Sequence, residues 1–346
     1  MSAMIRRTHV PTGTGQSVKI WRTFLLAGLL LMSMQAAVLA GKGSPAEKIE
    51  DASPRIFDSK TGQELTVARA AEQLARADAV FLGENHDSGP GHQLQLELIQ
   101  ALHQLRPDLV ISLEMFERDV QGTLRDYLSG RIDEEQFLQV SRPWSNYADH
   151  YRPIVEFARK HRLDVLAANI PRRIASAVAK DEQPDPEDRA WLPRETTAPD
   201  DAYAARFRAT MQGHGGSLSE EKLALYYQAQ CLKDDCMAES MADAFASRPR
   251  NWPLVVHLCG RFHSDYGYGT AARLQSRLPL LTLGVVSMEA VEPAELATVD
   301  PKAEPLTEAR ARCHVLVVVP EEPSRKEAKQ PVAAPRPPAT EASAGG

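Results

Sequence analysis

Short apolar runs that end abruptly in polar residues set the hydrophobic pattern of this chain. The run at 79–82 is followed at once by Glu84 and His86. A turn rich in Gly and Pro comes next, and leucines then recur at helical spacing from Leu94 to Leu105. This order predicts a buried strand, a polar loop and an amphipathic helix.

The same pattern recurs along the chain and predicts an α/β fold. A short strand and turn are predicted at 55–65, and Thr66 is expected to cap a helix that runs to Arg76. Because helical segments separate the later strands, we expect a mostly parallel sheet flanked by helices, with a smaller helical insertion at about 181–247. Five further apolar runs predict strands at 109–113, 163–168, 253–258, 280–286 and 314–319.

Polar side chains stand at the carboxyl ends of three predicted strands. Glu84 and His86 follow the first core strand, Glu114 follows the second, and His263 lies three residues after the Gly260 that ends a later one. The carboxyl ends of parallel strands meet at one edge of the sheet, where ligands usually bind. Two imidazoles and two carboxylates suit divalent-metal ligation or acid–base chemistry. A structural hydrogen-bonded cluster is the other interpretation of the same residues.

The two ends of the chain differ in composition from its middle. Residues 1–40 contain basic residues but no acid, and an apolar run from Phe24 ends in small residues. This predicts a cleavable signal peptide, a mature start near Gly41 and a periplasmic location, with an uncleaved anchor as the alternative. We expect one folded domain at 41–319 and a disordered tail rich in Pro and Ala at 320–346.

Charge and cysteine content narrow the function classes. The chain has 40 Lys and Arg against 46 Asp and Glu, a net charge of −6. An acidic balance disfavours a nucleic-acid partner, because phosphate binding needs a concentrated basic face. In an oxidising compartment Cys231 can pair with Cys236, and Cys259 with Cys313, and the spacing leaves both pairings open. The sequence has no Cys-x-x-Cys-His, which excludes that route of covalent haem attachment.

On these residues the chain resembles the ChaN-like haem-binding proteins, within the superfamily of Tiki-type proteases and erythromycin esterase-like enzymes. The resemblance covers about residues 78 to 275. It departs from the family in lacking a lipoprotein Cys near the cut site and in having Arg261 and Phe262 in the second motif. The matching residues are Gly83-Glu84-Asn85-His86, Ser112 to Phe116 with Gln121, Trp144, Tyr151-Arg152-Pro153, Asn169 to Arg172, Asp235 with Met237-Ala238, and Gly260 with His263.

The resemblance implies non-covalent haem binding outside the cytoplasmic membrane and a role in iron uptake. In the namesake a tyrosine holds the haem iron, and two haems stack between two subunits. The resemblance therefore implies a homodimer and contact with outer-membrane iron-uptake machinery. We favour a binding protein over an enzyme on this ground.

Tyr151 is the haem ligand that the family pattern predicts. It stands just before Arg152-Pro153, and proline suits the first turn of a helix, where the helix dipole favours an anionic phenolate. Tyr147 is expected to form an aromatic wall, His86 to hydrogen-bond the phenolate or face the iron, and Arg172 to meet a propionate. Packing in the core is the other interpretation for a tyrosine in this loop, and the pair at 226–227 is a second candidate.

The alternative function is a metal-dependent hydrolase or peptidase. Glu84 and Glu114 would then be the catalytic carboxylates, and His86, Glu114 and His263 would hold a divalent ion. The chain lacks the His-Glu-x-x-His of an ordinary zinc peptidase, since its histidines come from different turns.

Overall fold

The computed structural model describes residues 53–213, 218–248 and 252–322. The predicted signal peptide at 1–40 and nearly all of the predicted tail at 320–346 lie outside these ranges. None of the helices within them is long and apolar enough to cross a membrane.

One eight-stranded sheet organises the described residues. Its order is β2-β1-β8-β7-β3-β6-β4-β5. The six strands from β8 to β5 in this order pair in parallel, and β1 and β2 add an antiparallel edge. The predicted α/β fold with a mostly parallel sheet is therefore confirmed. The strands are β1 (Arg55–Asp58), β2 (Glu64–Leu65), β3 (Ala79–Glu84), β4 (Leu109–Glu117), β5 (Asp164–Asn169), β6 (Leu254–Gly260), β7 (Leu283–Val291) and β8 (Val315–Pro320).

Helices connect the strands, and side-chain caps fix where the first of them begin. The Thr66 side chain accepts a hydrogen bond from the Arg69 amide, as predicted, and Ser88 accepts one from Gly91. A π-helical turn at Tyr147–Tyr151 leads into α5. The helices are α1 (Val67–Leu74), α2 (Gly89–Leu105), α3 (Gln121–Leu128), α4 (Glu134–Ser141), α5 (Arg152–His161), α6 (Arg172–Val178), α7 (Ala202–Gly213), α8 (Glu220–Ala246), α9 (Gly269–Arg277) and α10 (Leu306–Ala311).

Both faces of the sheet are covered, which explains why the core strands read as unbroken apolar runs. In β3, Val80 and Leu82 point into a core that includes α1 and α2. Ala79 and Phe81 alternate with them and point into a second core that includes α8 and α9. Strands buried on both faces have no polar side to present, so most of their polar groups appear near the strand ends. Ser112 in β4 and His257 in β6 are buried exceptions that hydrogen-bond each other at 2.9 Å.

The predicted helical insertion divides between two packing environments. Helix α7 and the first half of α8 form a small cluster of their own around Tyr203, Phe207 and Tyr227. Further along α8, Met241 and Phe245 pack in the second core of the sheet. The insertion at 181–247 therefore shares α8 with the layer that covers the sheet.

All four cysteines lie in the described ranges as free thiols, so neither disulfide that the spacing left open is formed. Cys231 and Cys236 are five residues apart on α8, and that spacing directs their side chains to different sides of one helix. Cys259 is buried within β6, and burial raises the pKa of its thiol well above the usual value.

The first prediction concerns Gly83, which lies where the loop after β6 crosses the end of β3. A Cβ at this position would come within 2.9 Å of the Val286 carbonyl oxygen and of Ser264 Oγ. We expect Gly83→Ala to lower the free energy of unfolding by about 1–3 kcal/mol, measured by urea denaturation. Gly122→Ala is the matched control because no atom lies within 4 Å of its added Cβ. Equal stability of the two variants would contradict this account of the close approach.

Candidate functional site

The strand-end residues predicted from the sequence come together at one edge of the sheet. Strand β6 pairs in parallel with β3, which places Gly260 opposite Glu84, and β6 also pairs with β4 on its other side. Gly260 allows the ring of His86 to lie against the backbone, since a Cβ at Gly260 would be 2.8 Å from His86 Nε2. Glu114 is joined to the same turn, because the Gly260 amide donates to its Oε2 at 2.8 Å.

Glu84 is a buried carboxylate that collects three polar contacts. Its Oε1 accepts from the Tyr151 hydroxyl at 2.6 Å and lies 2.9 Å from His86 Nδ1. Its Oε2 accepts from Gln95 Nε2 at 2.8 Å. The side chain of His86 is 43% exposed, so His86 connects this buried cluster with solvent. Burial opposes a charge on His86, but the hydrogen bond with Glu84 and the charges of Glu114 and Glu84 outweigh it and raise its pKa.

His263 lies buried between two carboxylates. Its Nε2 is 3.4 Å from Glu114 Oε1, and its Nδ1 is 2.7 Å from Asp234 Oδ1. Burial opposes the charged ring, yet the charges of Glu114 and Asp234 prevail and raise the pKa of His263 to about 10. Burial likewise opposes the charge of Glu114, and the facing His263 overcomes it and holds the pKa of Glu114 far below its usual value. The arrangement is an imidazolium held by two carboxylates.

Sequence reasoning missed the part of this network that comes from α8. Asp234 accepts from the Tyr203 hydroxyl at 2.8 Å and from Thr270 Oγ1 at 2.7 Å. The family resemblance pointed to the neighbouring Asp235, which instead forms ion pairs with Arg273 and Arg277. The sequence does contain a signal for Asp234, because Asp234 and Asp235 form an acidic pair within an apolar stretch of a long helix.

Tyr151 is placed differently from the expectation for an exposed iron ligand. Its side chain is 0% exposed and its hydroxyl donates to Glu84. Burial and the charge of Glu84 raise the pKa of Tyr151 far above its usual value. In this arrangement the local carboxylate opposes the anionic phenolate that the position at a helix start is expected to favour. To bind iron, Tyr151 would first have to break its hydrogen bond with Glu84.

The other residues predicted to meet haem lie in different environments. Tyr147 is buried against Phe116 and Phe137, and its hydroxyl has no partner among the described residues. It therefore forms part of the core, and burial raises its pKa. Arg172 is exposed at the start of α6, which follows β5 at the same edge of the sheet. Tyr227 lies buried in the cluster of α7 and α8.

An aromatic patch that sequence reasoning missed lies on the loop after β6. All eight tyrosines lie in the described ranges, and Tyr266, at 37% exposure, is the exposed one. Its ring stacks on Tyr268 with centroids 5.6 Å apart, and the Arg206 guanidinium lies 5.3 Å from its centroid. Arg206 also lies over Phe262. Tyr266 has φ of 61°, an uncommon conformation for a non-glycine residue that is often found at functional sites.

The chemistry open to this edge is acid–base chemistry and ligand binding by His86. In the part of the chain that the structure describes, no three His, Cys, Asp or Glu side chains are grouped so as to hold a metal ion. An accessible imidazole with a buried carboxylate behind it is the geometry of an oriented base. Trp144 lies edge-on to the His86 ring at 5.0 Å and forms an apolar wall beside it.

The second prediction uses the charge of His263. The pKa of its ring is about 10 in the folded protein against an ordinary 6.5, so its contribution to stability is complete below pH 6.5 and is lost as the pH rises to about 10. Between these two pH values, the loss of the His263 proton should lower the free energy of unfolding of the wild type by up to about 1.4 kcal/mol per pH unit. His263→Gln should lose this part of the slope in urea denaturation. An unchanged slope would show that His263 is neutral in the folded state.

Known structures with a similar fold include a haem-binding protein. ChaN of Campylobacter jejuni, solved with cofacial haem binding, matches with a TM-score of 0.57 and 17% identity over 78% of this chain and 98% of that chain. Erythromycin esterase EreC matches with a TM-score of 0.43 and 13% identity, covering 69% of this chain and 78% of that chain. The first of these supports the fold described above.

A curated relative comes from a plant. Protein RETICULATA-RELATED 5, a chloroplastic protein of Arabidopsis thaliana, is 24% identical over 271 residues. The match covers 70% of this chain but 36% of the relative, so this chain spans about a third of the length of that protein.

A family model identifies the chain over most of its described part. The model for haem-binding uptake proteins of the Tiki superfamily, ChaN, matches residues 70–274. The matched segment begins in α1 and ends in α9, and it includes both strand-end loops and the whole of α8. The chain therefore belongs to the ChaN family of haem-binding uptake proteins in the Tiki superfamily.

Proposed function

We propose that this protein binds haem non-covalently at the carboxyl edge of its sheet and serves the uptake or handling of haem iron in the periplasm. Family membership supports haem binding in general. The observation that carries the placement is the exposed edge itself, where a half-exposed His86 and an exposed Tyr266 follow neighbouring strands. The export signal predicted at 1–40 supports the location.

Tyr266 is the iron ligand that we propose. Haem iron takes its protein ligands from Tyr, His, Met and Cys side chains, and tyrosinate suits ferric iron. A ligand of this kind must reach the porphyrin, and Tyr266 is exposed whereas Tyr151 is enclosed. The Tyr266 hydroxyl donates to the exposed Glu308 at 3.3 Å, and the Tyr151 hydroxyl donates to the buried Glu84 at 2.6 Å. Tyr268 stacks on it and offers flat apolar surface for the macrocycle.

Cations at the same edge suit the propionates. Arg206 lies over the Tyr266 ring and pairs with the buried Asp265. Arg206 is partly buried, and Arg172, at the start of α6, is an exposed cation at this edge. A guanidinium binds a carboxylate through paired hydrogen bonds, so these side chains are the propionate partners that we propose.

We also propose that a second copy of the chain covers the bound haem. A ligand at an exposed tyrosine leaves one porphyrin face open to solvent, and a second subunit removes that face from water. The related ChaN of Campylobacter jejuni was solved with cofacial haem binding. The proposal is thus a homodimer that holds two stacked haems. Outer-membrane iron-uptake machinery would supply the haems.

The second candidate function is a hydrolase or peptidase at the same edge. The pair of His86 and Glu84 favours it, because a partly exposed imidazole is oriented by a buried carboxylate. The metal-dependent version would need His86, Glu114 and His263 to hold an ion with Glu84 and Glu114 as catalytic carboxylates, and the described residues do not fit it, because His263 is engaged by Glu114 and Asp234. Elemental analysis of the protein as isolated, with ester and peptide hydrolysis compared between wild type and His86→Ala, separates this function from haem storage.

The third prediction separates the two tyrosines. Tyr266→Phe should abolish the tyrosinate charge-transfer band of the ferric haem complex and weaken haem binding more than tenfold, or by over about 1.4 kcal/mol. Tyr151→Phe should keep the band, because the wild-type Tyr151 hydroxyl donates a hydrogen bond to Glu84 and does not bind iron in this proposal. Soret titration and visible spectra of the purified mature protein measure both effects. If the band were lost in Tyr151→Phe and kept in Tyr266→Phe, the iron ligand would be Tyr151.

The fourth prediction concerns export. The small-residue site that ends at Ala40 should be cut, so mature protein should begin near Gly41 and be released with the periplasmic fraction. N-terminal sequencing of the secreted form measures this. Recovery of protein that still starts at Met1 and sediments with membranes would contradict the predicted location.

A further inference from the structure

A long groove lies along the outer edge of β5, away from the strand-end site. It encloses about 1070 Å³ between α3 and the end of α5 on one side and the outer surface of α8 on the other. We call it the β5 groove. None of the strand-end residues Glu84, His86, Glu114 and His263 lines it. Its volume lies at the upper limit of the roughly 300–1,000 Å³ that is usual for small-molecule pockets, which suits an extended ligand.

The β5 groove carries an excess of positive charge in an acidic protein. Three acids line it, Asp164, Glu239 and Asp243, against six arginines, so its side chains sum to +3, whereas the whole chain has a net charge of −6. A concentrated positive surface attracts anionic partners and raises their association rate. The six arginines are Arg118, Arg125, Arg159, Arg162, Arg194 and Arg248.

Two of these arginines are available to a partner. Arg118 and Arg194 form ion pairs with Glu239, and Arg248 forms one with an acid of β5. Arg159 pairs with Glu156 on its own helix. Arg125 and Arg162 are exposed, and within the described ranges no ion pair is recorded for either. They come from α3 and from the end of α5, so they project from two separate elements that border the groove.

Backbone groups on the outer edge of β5, at the floor of the groove, already have hydrogen-bond partners. This limits how a partner can bind there. Gln121 Nε2 donates to the Val165 carbonyl at 2.9 Å, and Gln121 Oε1 accepts from the Ala167 amide at 2.7 Å. The side chain thus takes the place of a neighbouring strand and blocks addition of another strand here. Recognition is left to the arginines and to the partly buried apolar side chains of Trp191 and Leu192.

We infer that the β5 groove binds an acidic segment of a partner protein, one with several Asp or Glu residues and an apolar side chain among them. The carboxylates meet Arg125 and Arg162, and the apolar side chain meets Trp191. A peptide satisfies the charge and the apolar floor together, whereas an inorganic polyanion satisfies the charge alone. The inference does not depend on haem binding.

The test is binding of a fluorescein-labelled peptide of alternating Glu and Leu to the full chain, followed by anisotropy. The double variant Arg125→Glu with Arg162→Glu should weaken binding more than tenfold and leave the ferric haem titration unchanged. Arg69→Glu with Arg208→Glu makes the same charge change on α1 and α7, outside the groove. It should bind the peptide nearly as wild type does.

A second double variant and two other ligands complete the test. Arg125→Ala with Arg162→Ala replaces the charge-reversal variant if that protein melts earlier than wild type. A Gln and Leu peptide should bind at least tenfold more weakly than the Glu and Leu peptide. Equal loss in the groove and control variants, or equal binding of the uncharged peptide, would overturn the inference. Inorganic polyphosphate that binds as tightly and displaces the peptide would show a general polyanion site and overturn the assignment to a protein partner.

Discussion

The buried contact between Glu114 and His263 is the interaction on which the strand-end site depends. It joins the end of β4 to the loop after β6, and Asp234 extends it to α8. Burying charges is costly, and the cost is offset here because one imidazolium faces two carboxylates whose other oxygens accept hydrogen bonds. Removing one partner leaves an uncompensated buried charge, so these three elements are held in one arrangement.

This buried layer gives the exposed residues a fixed support. Gly260 holds Glu114 through its amide and at the same time gives room for the His86 ring. His86 is then oriented by Glu84 on one side and by Trp144 on the other. A binding site positioned by packed and hydrogen-bonded neighbours loses little freedom when its ligand arrives. Tyr266, at a positive φ, is held in the loop after β6 by its amide, which donates to the Arg312 carbonyl at 2.7 Å.

The strands and the convergence of their polar ends could be predicted because both signals are local. A run buried on both faces is mostly apolar, and the first ionisable residue marks the end of β3 at Glu84. In β4 the first ionisable residue, Glu114, comes three residues before the strand ends at Glu117. The contribution of Asp234 could not be predicted, since it depends on how a 27-residue helix crosses the sheet. The burial of Tyr151 and the exposure of Tyr266 are likewise decided by packing between distant segments, which spacing alone does not encode.

The proposed haem site lies at the carboxyl edge of the sheet, and the β5 groove lies along the outer edge of β5. The central claim is that haem binds at the carboxyl edge, beside His86 and Tyr266. The most direct measurement is a crystal structure of the mature protein with ferric haem, using anomalous scattering at the iron edge to locate the metal. The account predicts an iron peak next to the Tyr266 hydroxyl with the porphyrin over Tyr268. An iron peak elsewhere, or at Tyr151 inside a rearranged core, would contradict it.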